Sequence, residues 1–238
     1  PEWVTDAYGS WAGYTRPVTL PLSFSIAPDG TSPTLATDVF LGHIRAAGGD
    51  IDEGAAYARF LGRTSTAVHR ILRDEYGVEF DEPQLGRMQA DLFRRLRQDL
   101  EPVSGIGGVL ASLESRRCVA SSSSPERIRL ELDVTGLLEF FGPHLFSASM
   151  VRKGKPAPDL FLHAAAAFDA HPGQCIVVED SPFGIQAARA AGMRVLGFIG
   201  AAHAAHFDLE GEVTAAAPDA IFRDMRQLPD LLAAFEVP

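Results

Sequence analysis

The stretch that most restricts what this chain can fold into is Cys175-Ile-Val-Val178, followed at once by Glu179-Asp180-Ser181-Pro182 and an alanine-rich segment over 184–191. A short, unbroken apolar run rich in β-branched residues and closed by turn residues reads as a strand buried on both faces. Beyond Pro102 the same texture repeats. Residues 117–121, 145–148, 193–199 and 220–222 read as further short strands, and 125–132, 159–168, 184–191 and 228–235 as helices. Val109, Leu110 and Leu113 are spaced for one more helix. Continuous apolar strands alternating with helices predict a doubly wound α/β layer, a parallel sheet covered on both faces. In such sheets the ligand-binding residues gather at the carboxyl ends of the strands.

Residues 36–100 carry a different period. Val39-Phe40, His43-Ile44 and Ala47 fall on one helical face, Val68, Ile71 and Leu72 on a second, and Leu85, Met88, Leu92, Phe93 and Leu96 on a third that begins just after Pro83. Breaks at Gly48-Gly49, Gly62 and Gly77 separate them, so the stretch is expected to form a bundle of about four helices. The first 34 residues hold both tryptophans and follow neither period. No internal repeat or low-complexity tract interrupts the rest.

A chain of 238 residues with 46% hydrophobic and 22% charged residues is long enough to bury a sizeable core. Its net charge of −10 argues against nucleic acid or an anionic membrane as the main partner, since both favour a basic face. The two cysteines, Cys118 and Cys175, lie inside apolar runs, which fits a reducing compartment. No run approaches the ~18 apolar residues of a membrane span, and the start lacks a basic stretch followed by an apolar one. The expected location is the cytoplasm. Nearly all of the 21 basic residues are arginine, and the only lysines are Lys153 and Lys155.

Three strand ends carry polar residues suited to chemistry. The first is Val119-Ala-Ser121-Ser122-Ser123-Ser124-Pro125, in which hydroxyls meet the N-terminus of a helix. That arrangement can hold an anion, and Ser124 can equally serve as a helix cap. The second is Gly154-Lys155-Pro156-Ala157-Pro158-Asp159. Its two prolines stiffen the approach, Asp159 is placed to cap the next helix, and Lys155 is expected to face an open cleft as a point charge for phosphate or carboxylate. A plain surface lysine is the alternative. The third is Glu179-Asp180-Ser181. Adjacent carboxylates raise each other's pKa unless a cation lies near, and Mg²⁺ is an oxygen-ligated ion of the right kind. Capping of the following helix by Asp180 or Ser181 would also account for the pattern.

Taken together, a strand ending in Ser, then Gly-Lys-Pro-x-Pro-Asp, then Val-Val-Glu-Asp-Ser-x-x-Gly-x-x-Ala-Ala-x-Ala-Ala-Gly-Met resembles the haloacid dehalogenase superfamily, in particular its β-phosphoglucomutase-like phosphatases and phosphomutases. The likeness runs from about residue 36 to 235 and is most specific over 153–197. It implies a Rossmann-like core over 22–34 and 101–238, with an inserted four-helix cap over 35–100; residues 1–21, which fit no pattern, are read as an irregular segment outside it. By the same resemblance Ser121 and Ser122 would hold the transferring phosphoryl group, and Lys155 would neutralise it. Asp180, supported by Glu179 and joined by Asp29, would bind Mg²⁺. The segment Leu61-Gly62-Arg63-Thr64 resembles a cap loop that reads the substrate, although Arg63 could also be an ordinary surface arginine. The implied activity is Mg²⁺-dependent hydrolysis or mutase chemistry on a small phosphorylated metabolite, of which a sugar phosphate is one candidate. A true dehalogenase would not call for the Glu179-Asp180 pair.

One family element is broken. The first strand should end in Asp-x-Asp-Gly, whose first Asp attacks phosphorus to give an aspartyl-phosphate and whose second handles the proton. Here Asp29-Gly30 falls on the second position, Ala27 stands in the nucleophile's place, and Thr34-Leu35 lies near where a later Asp-Ser is usual. Without the family, Pro28-Asp29-Gly30 is a turn signal. Two readings stay open. The protein binds phosphate and Mg²⁺ without turnover, or the reading frame is displaced near the start. A strand coded CTT GTC ATT TTC GAT TGC reads Leu-Val-Ile-Phe-Asp-Cys. One base later the same bases give Leu-Ser-Phe-Ser-Ile-Ala, which is Leu22 through Ala27 as they stand.

Overall fold

The structure is a computed structural model that describes residues 22–24, 32–60, 63–201 and 208–235. Ala27 and Asp29, with the whole segment 1–21, lie outside the described residues. Among the described residues six strands form one sheet: β1 (Leu22–Phe24), β2 (Arg117–Ser121), β3 (Leu145–Ser147), β4 (Ile176–Glu179), β5 (Arg194–Phe198) and β6 (Ala220–Phe222). Their spatial order is β3-β2-β1-β4-β5-β6, and every pairing is parallel. This is the doubly wound α/β arrangement expected from the sequence. The strand order reverses between β1 and β4, and in sheets of this kind ligands bind at the carboxyl edge beside such a reversal.

Helices α5 (Ile106–Ser112), α6 (Pro125–Val134), α7 (Leu138–Phe141), α8 (Asp159–Ala167), α9 (Pro182–Ala190), α10 (Leu209–Ala215) and α11 (Leu228–Phe235) cover the sheet. One face buries Phe24, Val119, Ile176, Val178 and Leu196 against α5, α6, α7 and α11. The other buries Cys118, Ala120, Val177 and Val195 against α8, α9 and α10. Alternate residues of β4 thus enter opposite cores, which is why the strand carries no polar residue before Glu179. Phe24 is fully buried and meets Phe141 edge to face, centroids 5.6 Å apart, so β1 is anchored at the centre of the sheet despite its shortness.

Between β1 and α5 come four helices, α1 (Ser32–Ala46), α2 (Glu53–Phe60), α3 (Ser65–Tyr76) and α4 (Glu82–Asp99). Their ends follow the local chemistry. Thr64 caps α3 and Gly77 ends it in the left-handed conformation, while Asp81 and Gln84 form a capping box around Pro83 at the start of α4. The helices make two apolar clusters of their own. Leu41, Ile44, Ala56, Val68 and Leu72 join α1, α2 and α3; Leu35, Val39, Met88, Leu92 and Leu96 join α1 and α4. Leu130 of α6 packs against the second cluster, so α4 rests on the core.

One local expectation is corrected. Asp159 does not cap α8; Pro158 occupies the cap position and no side chain closes it. Asp159 sits instead in the first turn, where its charge favours the positive end of the helix dipole.

Candidate active site at the carboxyl edge of the sheet

β2 and β4 flank β1, and in register Phe24 faces Val119 and Val178. The Lys155 Nζ donates to the carbonyl oxygen of Ala120 on β2 at 3.3 Å and to Oε1 of Glu179 on β4 at 2.9 Å. An ammonium that touches both neighbours of β1 one residue beyond Phe24 lies across the carboxyl end of the central strand. The ring of Phe161, on α8, lies 5.2 Å from the same Nζ. The loop from Gly154, with a cis Lys155–Pro156 peptide, delivers the lysine there.

The sequence led to a lysine facing an open cleft. The structure buries it: the Lys155 and Glu179 side chains are 2% and 1% exposed. The reason is the partner on β4, which one-dimensional spacing does not reveal. Glu179 is held on its other side as well, Oε2 accepting from the Ser181 backbone N–H at 2.5 Å. Directly behind it stands Gly184, in the first turn of α9; a Cβ there would fall 1.6 Å from Glu179 Oε1. The glycine of the Glu-Asp-Ser-x-x-Gly pattern is therefore the clearance for a carboxylate laid against a helix. Ser181 provides the cap of α9, its Oγ accepting from Gly184 N–H at 3.1 Å.

Asp180, next to Glu179, is nearly fully buried. Burial first, and then the charge of Glu179, push its carboxyl well above the usual carboxylate range, with Lys155 pulling the other way. Such a carboxylate is relieved by a cation. Among the described residues no group of three or more His, Cys, Asp or Glu forms a ready metal cluster. Asp180 supplies one hard oxygen donor, and Glu179, whose oxygens are engaged by Lys155 and Ser181, is built to steady its neighbour and the ammonium.

At the end of β2, Ser121 Oγ accepts from Ser123 N–H at 3.1 Å, and Ser124 caps α6 by accepting from Arg127 N–H at 3.3 Å. Ser122 lies between them, partly buried. A residue that sequence reasoning missed braces this loop. Ser147, buried at the end of β3, donates to the Ser123 carbonyl at 2.7 Å and accepts from the Ser149 backbone N–H at 3.2 Å. A serine closing a second short strand was the only signal for it.

Arg63 and Thr64, in the loop between α2 and α3, reach the core. The Arg63 guanidinium carbon lies 4.0 Å from the ring centroid of Phe183 at the start of α9. Thr64 Cγ2 would be 2.8 Å from a Cβ added at Gly154, so the loop is seated on the approach to Lys155. Desolvation, with the charges of Arg59 and Arg70, pulls the Arg63 pKa below its ordinary value. The structure thus brings Ser121, Ser122, Lys155, Glu179 and Asp180 to the ends of neighbouring strands and sets Arg63 beside α9.

A family model described as haloacid dehalogenase-like hydrolase matches residues 31–192. A 6-phosphogluconate phosphatase from Escherichia coli is 27% identical over 179 residues, covering 74% of this chain and 81% of that protein. A β-phosphoglucomutase from Bacillus subtilis is 35% identical over 101 residues, covering 42% of this chain and 43% of that protein. The solved structure of a haloacid dehalogenase-like protein from Agrobacterium tumefaciens, 33% identical, superposes with a TM-score of 0.76 over 91% of this chain and 99% of that one.

Proposed function

The chain belongs to the haloacid dehalogenase-like hydrolases, and from that we propose a Mg²⁺-dependent phosphohydrolase or phosphomutase that acts on a small phosphorylated metabolite through an aspartyl-phosphate. Its relatives include phosphatases and a phosphomutase. The observation that carries the reading is the buried ammonium of Lys155 across the carboxyl end of β1, bonded to β2 and β4 at once. A fixed positive charge in a water-poor setting stabilises the charge that develops on a transferring phosphoryl group far better than a solvated one does.

The chain's residues divide the work as follows. Ser121 and Ser122 orient phosphoryl oxygens, Lys155 neutralises them, and Asp29 gives and takes the proton of the leaving and attacking oxygens. Asp180 and Asp29 would hold Mg²⁺, with Glu179 in support; the burial of Asp180 beside a second carboxylate, which a cation would relieve, supports this. Bound Mg²⁺ would supply further neutralisation and fix the phosphoryl group in line. Arg63 and Thr64 face the far end of the substrate, and a sugar phosphate fits the relatives' substrates. We place the protein in the cytoplasm, in keeping with two buried, unbridged cysteines.

Covalent phosphoryl transfer needs a carboxylate where Ala27 stands. A displaced reading frame at the start of the chain accounts for its absence; the alternative, favoured by the alanine itself, is a phosphate- and Mg²⁺-binding protein without turnover. Protein made from the native gene separates them. The displaced-frame reading expects an intact mass that differs from this sequence, an Asp at the end of the first strand, and hydrolysis of at least one sugar phosphate that EDTA stops. A matching mass with no turnover selects the binding protein. A matching mass with Mg²⁺-dependent turnover overturns both and moves the nucleophile elsewhere.

A further inference from the structure

We propose that Phe183 is a positioning residue for Arg63, presenting its guanidinium at the carboxyl edge of the sheet to the second acidic group of a doubly anionic phosphoester. The inference rests on the phosphohydrolase reading above and extends it to a substrate class.

Phe183 lies three residues beyond Asp180, in the first turn of α9, so its ring belongs to the same edge as Lys155 and Asp180. Arg63 arrives from the helical insert and stacks over that ring at 4.0 Å. An arginine side chain has about 2 kcal/mol of rotamer entropy to lose when a ligand fixes it. Stacking on an aromatic face removes much of that freedom before the ligand comes. The contact also bridges the insert and the core, alongside Thr64 seated against Gly154.

The second observation is a donor with nothing to donate to. Arg63 Nε is buried and has no hydrogen-bond partner among the described residues. A buried charged N–H without an acceptor is costly, and such a group is satisfied by an anion's oxygen arriving from outside the chain. Arg59 and Arg70 are near enough for their charges to act on Arg63, opposed by Glu75, which pairs with Arg59 at 2.7 Å. The strand ends already provide for one phosphoryl group. A guanidinium at this remove is suited to a second anionic group on the same molecule.

The test compares a hexose bisphosphate with phenyl phosphate, which has no second anionic group. Kd is measured by calorimetry and KM and kcat by phosphate release, for the parent, Phe183→Leu, Phe183→Tyr, Arg63→Gln and the Phe183→Leu/Arg63→Gln pair. Phe183→Leu should weaken the bisphosphate about five- to thirtyfold in Kd and KM, the range of a desolvated cation–π contact. It should leave kcat and all phenyl phosphate parameters unchanged. Phe183→Tyr should restore the parent values, and the double variant should bind no more weakly than Arg63→Gln alone, because Phe183 acts only through the arginine. Additive losses, equal weakening of phenyl phosphate, failure of the tyrosine, or a parent with no preference for the bisphosphate would each overturn the proposal. Absence of turnover on both esters sinks the hydrolase reading instead, while the Kd pattern still decides the role of Phe183.

Discussion

Lys155 is the residue on which site and stability meet. Its ammonium and the Glu179 carboxylate are both removed from water and bonded to each other. Replacing the lysine with methionine strands a carboxylate in the interior, a change that costs about 3–5 kcal/mol when one partner of a buried pair is deleted. That is a large share of the 5–15 kcal/mol that holds a typical domain together. Urea titration of Lys155→Met should show this loss, and the Lys155→Met/Glu179→Gln double variant should recover part of it because no uncompensated charge remains. A single variant as stable as the parent would mean that the lysine is solvated after all. The identity of this lysine was legible from Gly154-Lys155-Pro156, but its burial was not. Burial depends on Glu179, which the sheet order brings to it from a distant strand. The same holds for Arg63 and Phe183, whose contact no spacing rule reports.

Between β4 and α9 the chain makes a tight junction. Glu179 ends the strand, Ser181 caps the helix, and Gly184 leaves room for the glutamate to lie against the first turn. Gly184→Ala would drive a methyl group into a carboxylate that cannot swing away, since Lys155 and the Ser181 N–H hold its two oxygens. Overpacking of this kind costs about 1–3 kcal/mol. The variant should lose that much in urea and bind phosphate more weakly as Lys155 is displaced. Gly86→Ala is the control: at this exposed position of α4 an added Cβ meets nothing within 4 Å, and relief of glycine's helix penalty should stabilise by about 0.5–1 kcal/mol. Strand and helix positions were read well from sequence wherever the period was unbroken, as at β2, β4 and α11. Where two signals competed the reading slipped. Asp159 looked like a cap because acids favour that position, but Pro158 takes it.

At the level of the whole molecule, the sheet is built from a strand that precedes the four-helix insert and five that follow it, with the early strand in the middle. The helical insert was legible as a change of period, and its seat on the core through Leu130 and Thr64 was not, because those contacts join residues far apart in sequence. The placement of β1 also governs how the protein can be made. Leu22 must find Arg117 on one side and Ile176 on the other. On the ribosome the central strand emerges with neither neighbour available, and the insert, whose contacts are local, can condense while β1 waits. Translation has to proceed beyond β4 before that strand is covered on both edges. A nascent chain arrested just short of Ile176 should therefore carry a helical insert beside an open strand edge, the kind of surface on which chains pair with one another. Fragments ending there should sediment as aggregates and those extended through Phe198 should stay dispersed, so for this fold the hazardous interval of synthesis closes late.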